Sequence, residues 1–131
     1  MASSKKLRAD KLKEERKDIS IAKLNNCPTS PRKMRLVAGM VRGKNVMDAI
    51  NILKFTNKDA ARRLETLVVS AISNWESKNS GKSIEDEDVV IKEIYVDSAR
   101  MLKRLRPAPQ GRAHRIRKRS NHVTVILDSI K

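Results

Sequence analysis

Apolar residues recur with the spacing of an amphipathic α-helix in three successive segments of the chain. The first segment follows Ser30 and Pro31, which suit a helix start, and stops before Gly43, which suits the position after a helix end. The second follows Asn45, a capping residue, and the third covers about 58–78. Their inward faces are predicted to consist of Met34, Val37, Ala38 and Val41, then Val46, Ala49, Ile50 and Leu53, then Ala61, Leu64, Leu67, Val68, Ala71, Ile72 and Trp75.

Three shorter segments have the composition of β-strands and lie on either side of the helices. Residues 19–24 come before the helices, with Ile19 and Ile21 on one face, and residues 89–96 and 122–127 come after them. The sequence therefore predicts an α+β fold, in which three helices pack on a small antiparallel sheet that carries one long extended β-hairpin.

The hairpin is predicted from the turn sequence at 107–111, where two prolines fix φ and Gly111 allows a positive φ. Each arm would be about 50 Å long, whereas a chain of this length folds into a body with a radius of gyration of about 14 Å. The far half of the hairpin is therefore expected to project. A turn centred on Pro109 places Tyr95 opposite Val123 and Ile91 opposite Leu127, and the apolar face then consists of Ile91, Tyr95, Val123, Val125 and Leu127.

Positive charge is concentrated in the far half of this hairpin. The chain has 131 residues and a formal net charge of +15, and residues 100–119 contain nine of its 30 Lys and Arg residues with no Asp or Glu. Cations on an exposed two-stranded ribbon repel one another, so we expect nucleic acid to hold this segment rather than a solvated basic loop. The predicted phosphate ligands are Arg100, Lys103, Arg104, Arg106, Arg112, Arg115, Arg117, Lys118 and Arg119.

A second basic surface is predicted on the first helix. At about 100° per residue, Arg32, Arg35 and Arg42 fall within a sector of roughly 80° beside the apolar face. An ordinary solvated helix face would explain this spacing equally well. However, residues 20–46 contain no Asp or Glu, which favours phosphate contacts by Arg32, Lys33, Arg35 and Arg42.

Composition argues against several classes of protein. One Phe, one Trp and one Tyr provide little surface for stacking unpaired bases. Cys27 is the single cysteine, which excludes an internal disulfide and a cysteine-based zinc cluster. No apolar run of about 18 residues is present, and the N-terminal residues lack the apolar stretch of a secretory signal. We therefore expect a cytoplasmic protein that has no membrane partner, no cofactor and no metal.

The sequence also argues against an enzyme. His114 lies among the cations and His122 begins a predicted strand, and neither has a Ser or Cys partner that spacing identifies. The acidic residues at 85–88 are interpreted as a solvated loop rather than a metal site.

Charge and apolar content divide the chain into two regions. Residues 1–18 mix both signs of charge with only Leu7 and Leu12 as large apolar residues, and are expected to form a loose N-terminal extension. Residues 19–131 are expected to form a single globular α+β domain, with the hairpin at about 89–127 and its basic tip at 100–119.

Three stretches resemble the universal large-subunit ribosomal protein twenty-two family, in its bacterial type. They are residues 27–38, residues 67–74, and Gly111-Arg112 followed after nine residues by 122–127. The resemblance covers roughly 19–128 and does not extend to the first eighteen residues. It implies a small α+β domain on the outside of the large subunit, and an extended hairpin that passes through rRNA to the wall of the peptide exit tunnel.

The resemblance also implies partners and a tunnel-facing tip. The partners would be large-subunit rRNA, neighbouring large-subunit ribosomal proteins and the nascent polypeptide near the tip. Many members have a basic residue and a small residue before the glycine, whereas this chain has Ala108, Pro109 and Gln110, which makes the tip stiffer and less charged. The implied tip residues are Leu102, Lys103, Arg104, Pro107, Ala108, Pro109, Gln110 and Gly111.

An architectural DNA-binding protein with a basic β-arm is the alternative. Proline-tipped arms of this kind enter the minor groove and bend DNA. Such proteins commonly act as symmetric dimers, which need an apolar face outside the core. The apolar faces predicted for this chain suffice for one core only.

Overall fold

The computed structural model describes residues 3–130 and has the α+β architecture that the sequence predicts. Three helices pack on a small antiparallel sheet, and a fourth helix precedes them in the chain. The elements in order are α1 (Ser4–Asp18), β1 (Ser20–Cys27), α2 (Pro31–Val41), α3 (Val46–Phe55), α4 (Asp59–Lys78), β2 (Val89–Ser98), β3 (Leu102–Pro107), a 3-10 turn (Pro109–Gly111), β4 (Ala113–Lys118) and β5 (Asn121–Ser129).

The main sheet has three antiparallel strands in the order β1-β5-β2, so that β1 and β2 are its edges. Helix α4 packs on β1 and β5, α2 packs on β2, and α3 contacts both α4 and α2. The core between the two layers consists of aliphatic side chains together with Cys27, Met34 and Trp75, which is 3% exposed. Beyond the main sheet, β3 and β4 pair only with each other.

The helix ends follow from the residues that flank them. Pro31 occupies the first turn of α2, and Gly43 adopts a φ of 72° just after the helix end. The side-chain oxygen of Asn45 accepts a hydrogen bond of 3.0 Å from the amide of Met47 and caps α3. The predicted inward faces are confirmed, with Ile50 and Ile72 half-buried at their margins.

Ile21 of β1 and Ile19, the residue just before this strand, lie away from the helices. Ser20 and Ala22 face inward instead, and the Ser20 hydroxyl donates to the Ala71 carbonyl of α4 at 3.4 Å. The close approach of α4 favours small residues on the inward face of β1. The two isoleucines share a face, as predicted, but that face is the outer one.

The predicted hairpin register is correct at its base and wrong further along. Ile91 lies opposite Leu127, but a bulge after Ile91 shifts the pairing by one residue, so that Val96 rather than Tyr95 lies opposite Val123. Tyr95 is consequently 42% exposed on the outer face. The inward face of the hairpin base consists of Ile91, Ile94, Val96, Val123, Val125 and Leu127.

The bulge lies where another segment binds the outer edge of β2. The amide of Gly43 donates to the Ile91 carbonyl, and the Ile91 amide donates to the Lys44 carbonyl, both at 3.0 Å. Next to the bulge, the Lys92 ammonium donates to Asp128, and this hydrogen bond and the charge attraction raise the pKa of Lys92. The shift in register thus coincides with contacts from a distant part of the sequence.

Residues 4–18 form helix α1, and all of its side chains that the structure describes are exposed. It is thus a helix on the surface rather than a segment without regular structure. The expected looseness of residues 1–18 in solution stays a prediction.

Candidate nucleic-acid interface

The basic ribbon is defined here as β3, β4 and the turn that joins them, residues 102–118. The turn uses left-handed backbone at Gln110 (φ 62°) and Gly111 (φ 69°). It is closed by the Ala108 amide, which donates to the Arg112 carbonyl at 2.9 Å. The pairing of Pro107 with Ala113 centres the turn on Gln110, one residue later than predicted.

The ribbon presents cations on both of its faces. Side chains directly opposite each other in antiparallel strands lie on the same face. One face therefore carries Arg104, Arg106 and Lys118 with Leu102, His114 and Ile116, and the other carries Lys103, Arg115 and Arg117 with Leu105, Pro107 and Ala113. Within the ribbon, only Ala108 and Ile116 are partly buried, so every cation is open to solvent on one side or the other.

The charge of the ribbon is not compensated within residues 3–130. None of the predicted ribbon cations forms an ion pair there, and the guanidinium of Arg104 donates only to the carbonyl of Lys103. Lys103 and Arg117 lie directly opposite each other, and like charges at such positions destabilise the pairing of β3 with β4. An external anion placed between these two side chains would remove that repulsion.

The neck between the ribbon and the domain is fixed by backbone and amide contacts. The Ala99 amide donates to the Ser120 carbonyl at 2.9 Å. Asn121 is fully buried, and its side-chain amide donates to the Thr29 carbonyl at 2.5 Å in the loop before α2. Arg100 and Arg119 flank this neck and are exposed. The anchoring role of Asn121 was missed, because a polar residue at a strand start gives no signal in the sequence.

Two of the predicted phosphate ligands, Arg35 on α2 and Arg42 just after its end, bind the edge of the sheet. The guanidinium of Arg35 donates through Nε and Nη2 to the Val96 carbonyl at 3.2 and 2.9 Å. Arg42 donates through Nη2 to the Ile94 carbonyl at 2.9 Å. Both carbonyls belong to edge strand β2, so these arginines take the place of a neighbouring strand.

The remaining cations of α2 are free of such contacts. The side chains of Arg32 and Lys33 are exposed and form no hydrogen bond or ion pair with any described residue. They are therefore available to an external partner without loss of an internal contact.

The opposite edge strand, β1, is covered in the same way by α4. The side-chain amide of Asn74 donates to the Ile21 carbonyl at 3.1 Å, and the ammonium of Lys78 donates to the Ile19 carbonyl. These two residues were not identified from the sequence, because the polar face of a helix does not indicate which strand lies beside it.

The two histidines have different surroundings. The Nδ1 of His122 accepts a hydrogen bond of 3.0 Å from the Asn26 amide, where β1 bulges away from β5, so that this histidine packs the sheet. His114 is exposed on the ribbon opposite Arg106. Cys27 is buried, and its thiol faces the Thr29 hydroxyl at 3.7 Å.

The acidic loop is engaged in local contacts. The Ser83 hydroxyl donates to Asp86 at 2.8 Å, and Lys82 pairs with Glu87. Within the described chain, no cluster of three or more metal-ligating side chains occurs. None of the helices described is both long enough and apolar enough to cross a membrane.

Comparison with known proteins identifies the family. The family described as ribosomal protein L22p/L17e matches residues 22–128. The chain is 62% identical to the large ribosomal subunit protein uL22 of Flavobacterium johnsoniae over 130 residues, which cover 99% of this chain and 95% of the relative. It is 61% identical to the protein of the same name from Christiangramia forsetii over 127 residues, 97% of this chain and 94% of the relative.

A third relative, from Parabacteroides distasonis, is 55% identical over 130 residues, 99% of this chain and 95% of the relative. Matches of this length include the N-terminal segment that precedes residue 22, where the family match begins. The segment is thus shared with these relatives, although the resemblance drawn from the sequence did not reach it. Both the match over 22–128 and the identities above half show that the chain belongs to the ribosomal protein L22p/L17e family.

Proposed function

We propose that this chain is a structural constituent of the large ribosomal subunit that binds and organises large-subunit rRNA, chiefly through its basic ribbon. Its relatives carry the name of a large-subunit protein, and membership of this family makes it a ribosomal component in the cytoplasm rather than an enzyme. The observation that carries the rRNA-binding proposal is the exposed ribbon, with cations on both faces and no acidic residue.

The distribution of charge on the ribbon supports contact with RNA on both sides. A groove or surface that met only one face would leave the cations of the other face uncompensated. A ribbon two strands wide is narrow enough to lie between RNA helices, where a globular domain cannot enter. We therefore infer that the ribbon lies between rRNA segments and is held by their phosphates.

The predominance of arginine on the ribbon suits a permanent contact of this kind. A guanidinium stays charged at all physiological pH values and binds phosphate through two parallel hydrogen bonds. Recognition would rest on phosphate, sugar and shape rather than on base sequence.

Helix α2 provides a second set of rRNA contacts in this proposal. Arg32 and Lys33 are free to bind phosphate, whereas Arg35 uses two of its five N–H donors on the sheet and Arg42 uses one. The remaining donors allow both arginines to join the sheet edge to RNA. The full set of proposed rRNA ligands is Arg32, Lys33, Arg35, Arg42, Arg100, Lys103, Arg104, Arg106, Arg112, Arg115, Arg117, Lys118 and Arg119.

We further propose that the tip of the ribbon reaches the wall of the peptide exit tunnel, close to the nascent polypeptide, while the domain contacts neighbouring ribosomal proteins. The resemblance to the family supports this, as does the projection of the ribbon beyond the main sheet. The proposed tunnel-facing residues are those from Pro107 to Gly111 at the turn, together with Leu102, Lys103 and Arg104, which lie further along β3 toward the neck. A photo-crosslinker at Gln110 should label stalled nascent chains, and a crosslinker at Asp48 on α3 should not.

Sedimentation of a tagged copy from cell lysate tests the main proposal. We expect the protein to migrate with large subunits and to remain with them after a high-salt wash, because the ribbon is enclosed by rRNA. Migration with chromosomal DNA, or release as free dimers at modest salt, would instead favour the architectural DNA-binding alternative.

A further inference from the structure

Helix α1 has its own charge pattern, which the ribbon and α2 do not explain. At about 100° per residue, five cations fall within a sector of about 120° that contains no acidic residue. Glu14 and Glu15 lie on the other side of the helix with Arg8 and Lys11, whereas Asp10 borders the basic sector beside Lys17. The five cations of this basic face are Lys5, Lys6, Lys13, Arg16 and Lys17.

The rest of the domain does not hold α1 in place. Every side chain of residues 4–17 is exposed, and no hydrogen bond joins these side chains to another element of the described structure. An isolated helix of about 15 residues is marginal in water. Its own charges add little, since Lys13 and Asp10 are 3.8 Å apart at exposed positions and Lys13 and Lys17 repel each other one turn apart. A partner is therefore needed to keep this helix formed.

The surface of α1 favours RNA over a protein groove as that partner. Leu7 and Leu12 are its only large apolar side chains, and at about 100° per residue they point about 140° apart, so they form no apolar stripe. Lys6, Lys13 and Lys17, by contrast, form a row about 16 Å long on one side of the helix, and Asp10 borders this row at 3.8 Å from Lys13. A row of cations without an apolar seam matches a line of phosphates.

We propose that the basic face of α1 binds rRNA phosphates as a contact separate from the ribbon and α2, with Glu14 and Glu15 turned toward solvent. This inference rests on the proposed function, because it assigns a further surface of the chain to the same polyanion. The binding of RNA neutralises the repulsion along the basic face and holds the helix in its folded form.

The test compares two pairs of substitutions that remove equal charge from the same helix. Lys13→Gln with Lys17→Gln changes the basic face, and Arg8→Gln with Lys11→Gln changes the opposite one. Glutamine has a helix propensity close to that of lysine and arginine, so the helix itself is preserved. Binding of each full-length variant to deproteinised large-subunit rRNA is measured at several salt concentrations.

We expect the basic-face pair to reduce the slope of log K against log salt by about 1.5, since each lost phosphate contact removes about 0.7–0.9. The opposite-face pair should reduce it by less than about 0.5. An equal reduction in both pairs would refute an oriented contact and leave only the general effect of net charge.

Three further outcomes would also overturn the inference. In assembled large subunits, hydrogen exchange at the amides of α1 should be slow in the unaltered chain. If the basic-face pair leaves the salt slope of rRNA binding unchanged but removes this protection in assembled subunits, a neighbouring protein holds the helix. If substitutions in the ribbon weaken rRNA binding and neither α1 pair does, α1 takes no part in rRNA binding, and the proposed function stands. If the unaltered chain fails to bind rRNA, the proposed function fails as well.

Discussion

Replacing Arg35 with alanine removes the side chain that covers the outer edge of β2 beside the hairpin neck. Its Nε and Nη2 both donate to the Val96 carbonyl, at 3.2 and 2.9 Å. Val96 itself is 6% exposed, and its side chain belongs to the core face of the hairpin base. Loss of the guanidinium leaves the carbonyl of an edge strand to be solvated by water.

The expected loss of stability follows from this geometry. Hydrogen bonds to charged groups contribute about 1.5–3 kcal/mol. The lower end of this range applies here, because the two donors share one acceptor and water can replace them at a sheet edge. Arg35→Ala should therefore lower the free energy of unfolding by about 1.5 kcal/mol. Arg35→Lys keeps the charge but lacks the planar pair of donors, so we expect an intermediate loss.

Urea unfolding of the free full-length chain, followed by far-UV circular dichroism, measures this effect. With an m value of about 1.5 kcal/mol/M, the midpoint should fall by about 1 M. Arg32→Ala is the matched control, because Arg32 lies on the same helix, is exposed and forms no side-chain hydrogen bond within residues 3–130. The control should change stability by no more than about 0.5 kcal/mol.

Equal stability of Arg35→Ala and Arg32→Ala would refute the structural role assigned to Arg35. If both variants also weakened rRNA binding to the same extent, Arg35 would act only as a phosphate ligand, as the sequence alone suggested. A stability loss in the alanine variant that the lysine variant fully restores would show that charge, rather than the paired hydrogen bonds, is what the edge requires.

Three other sets of substitutions give independent tests. Replacing Arg112, Arg115, Arg117 and Arg119 with alanine should weaken rRNA binding and reduce its salt slope by about 3, with little change in helix content; a lost fold with unchanged binding would show that these arginines are structural. Trp75→Ala should cost about 3–5 kcal/mol in thermal unfolding, whereas exposed Tyr95→Ala should cost less than about 1 kcal/mol. Gly111→Val places a β-branched residue at a φ of 69°, so hydrogen exchange at the Ala108 amide should become faster; unchanged exchange would show that the turn tolerates it.

Local signals were sufficient to predict most of the secondary structure. Asn45 marks a helix start through its hydrogen bond to Met47, and Gly43 marks a helix end through its backbone angle. The spacing of apolar residues gave the inward faces directly. The turn at 107–111 and the charge around it gave the hairpin and its basic half. These features depend on residues close together in the chain, and the structure confirms them.

Contacts between distant segments explain what the sequence did not give. The register changes after Ile91, where Gly43 and Lys44 bind from 47 or more residues away in the chain. Arg35 and Arg42 were interpreted from the sequence as phosphate ligands alone, because nothing in a helical pattern indicates that an edge strand lies beside them. Asn121 was overlooked for the same reason, because its partner Thr29 is 92 residues away.

The covered edges of the main sheet bear on how copies of this protein behave before they reach a ribosome. An open strand edge is a template on which a second chain can add a strand, and such additions lead to aggregates. Arg35 and Arg42 on one side, and Asn74 and Lys78 on the other, occupy carbonyls to which a second copy would have to bind. The ribbon has no such cover, but its like charge repels another ribbon. In the proposed complex, rRNA both neutralises and surrounds the ribbon, which would then lose this electrostatic protection only once it is no longer accessible to another copy.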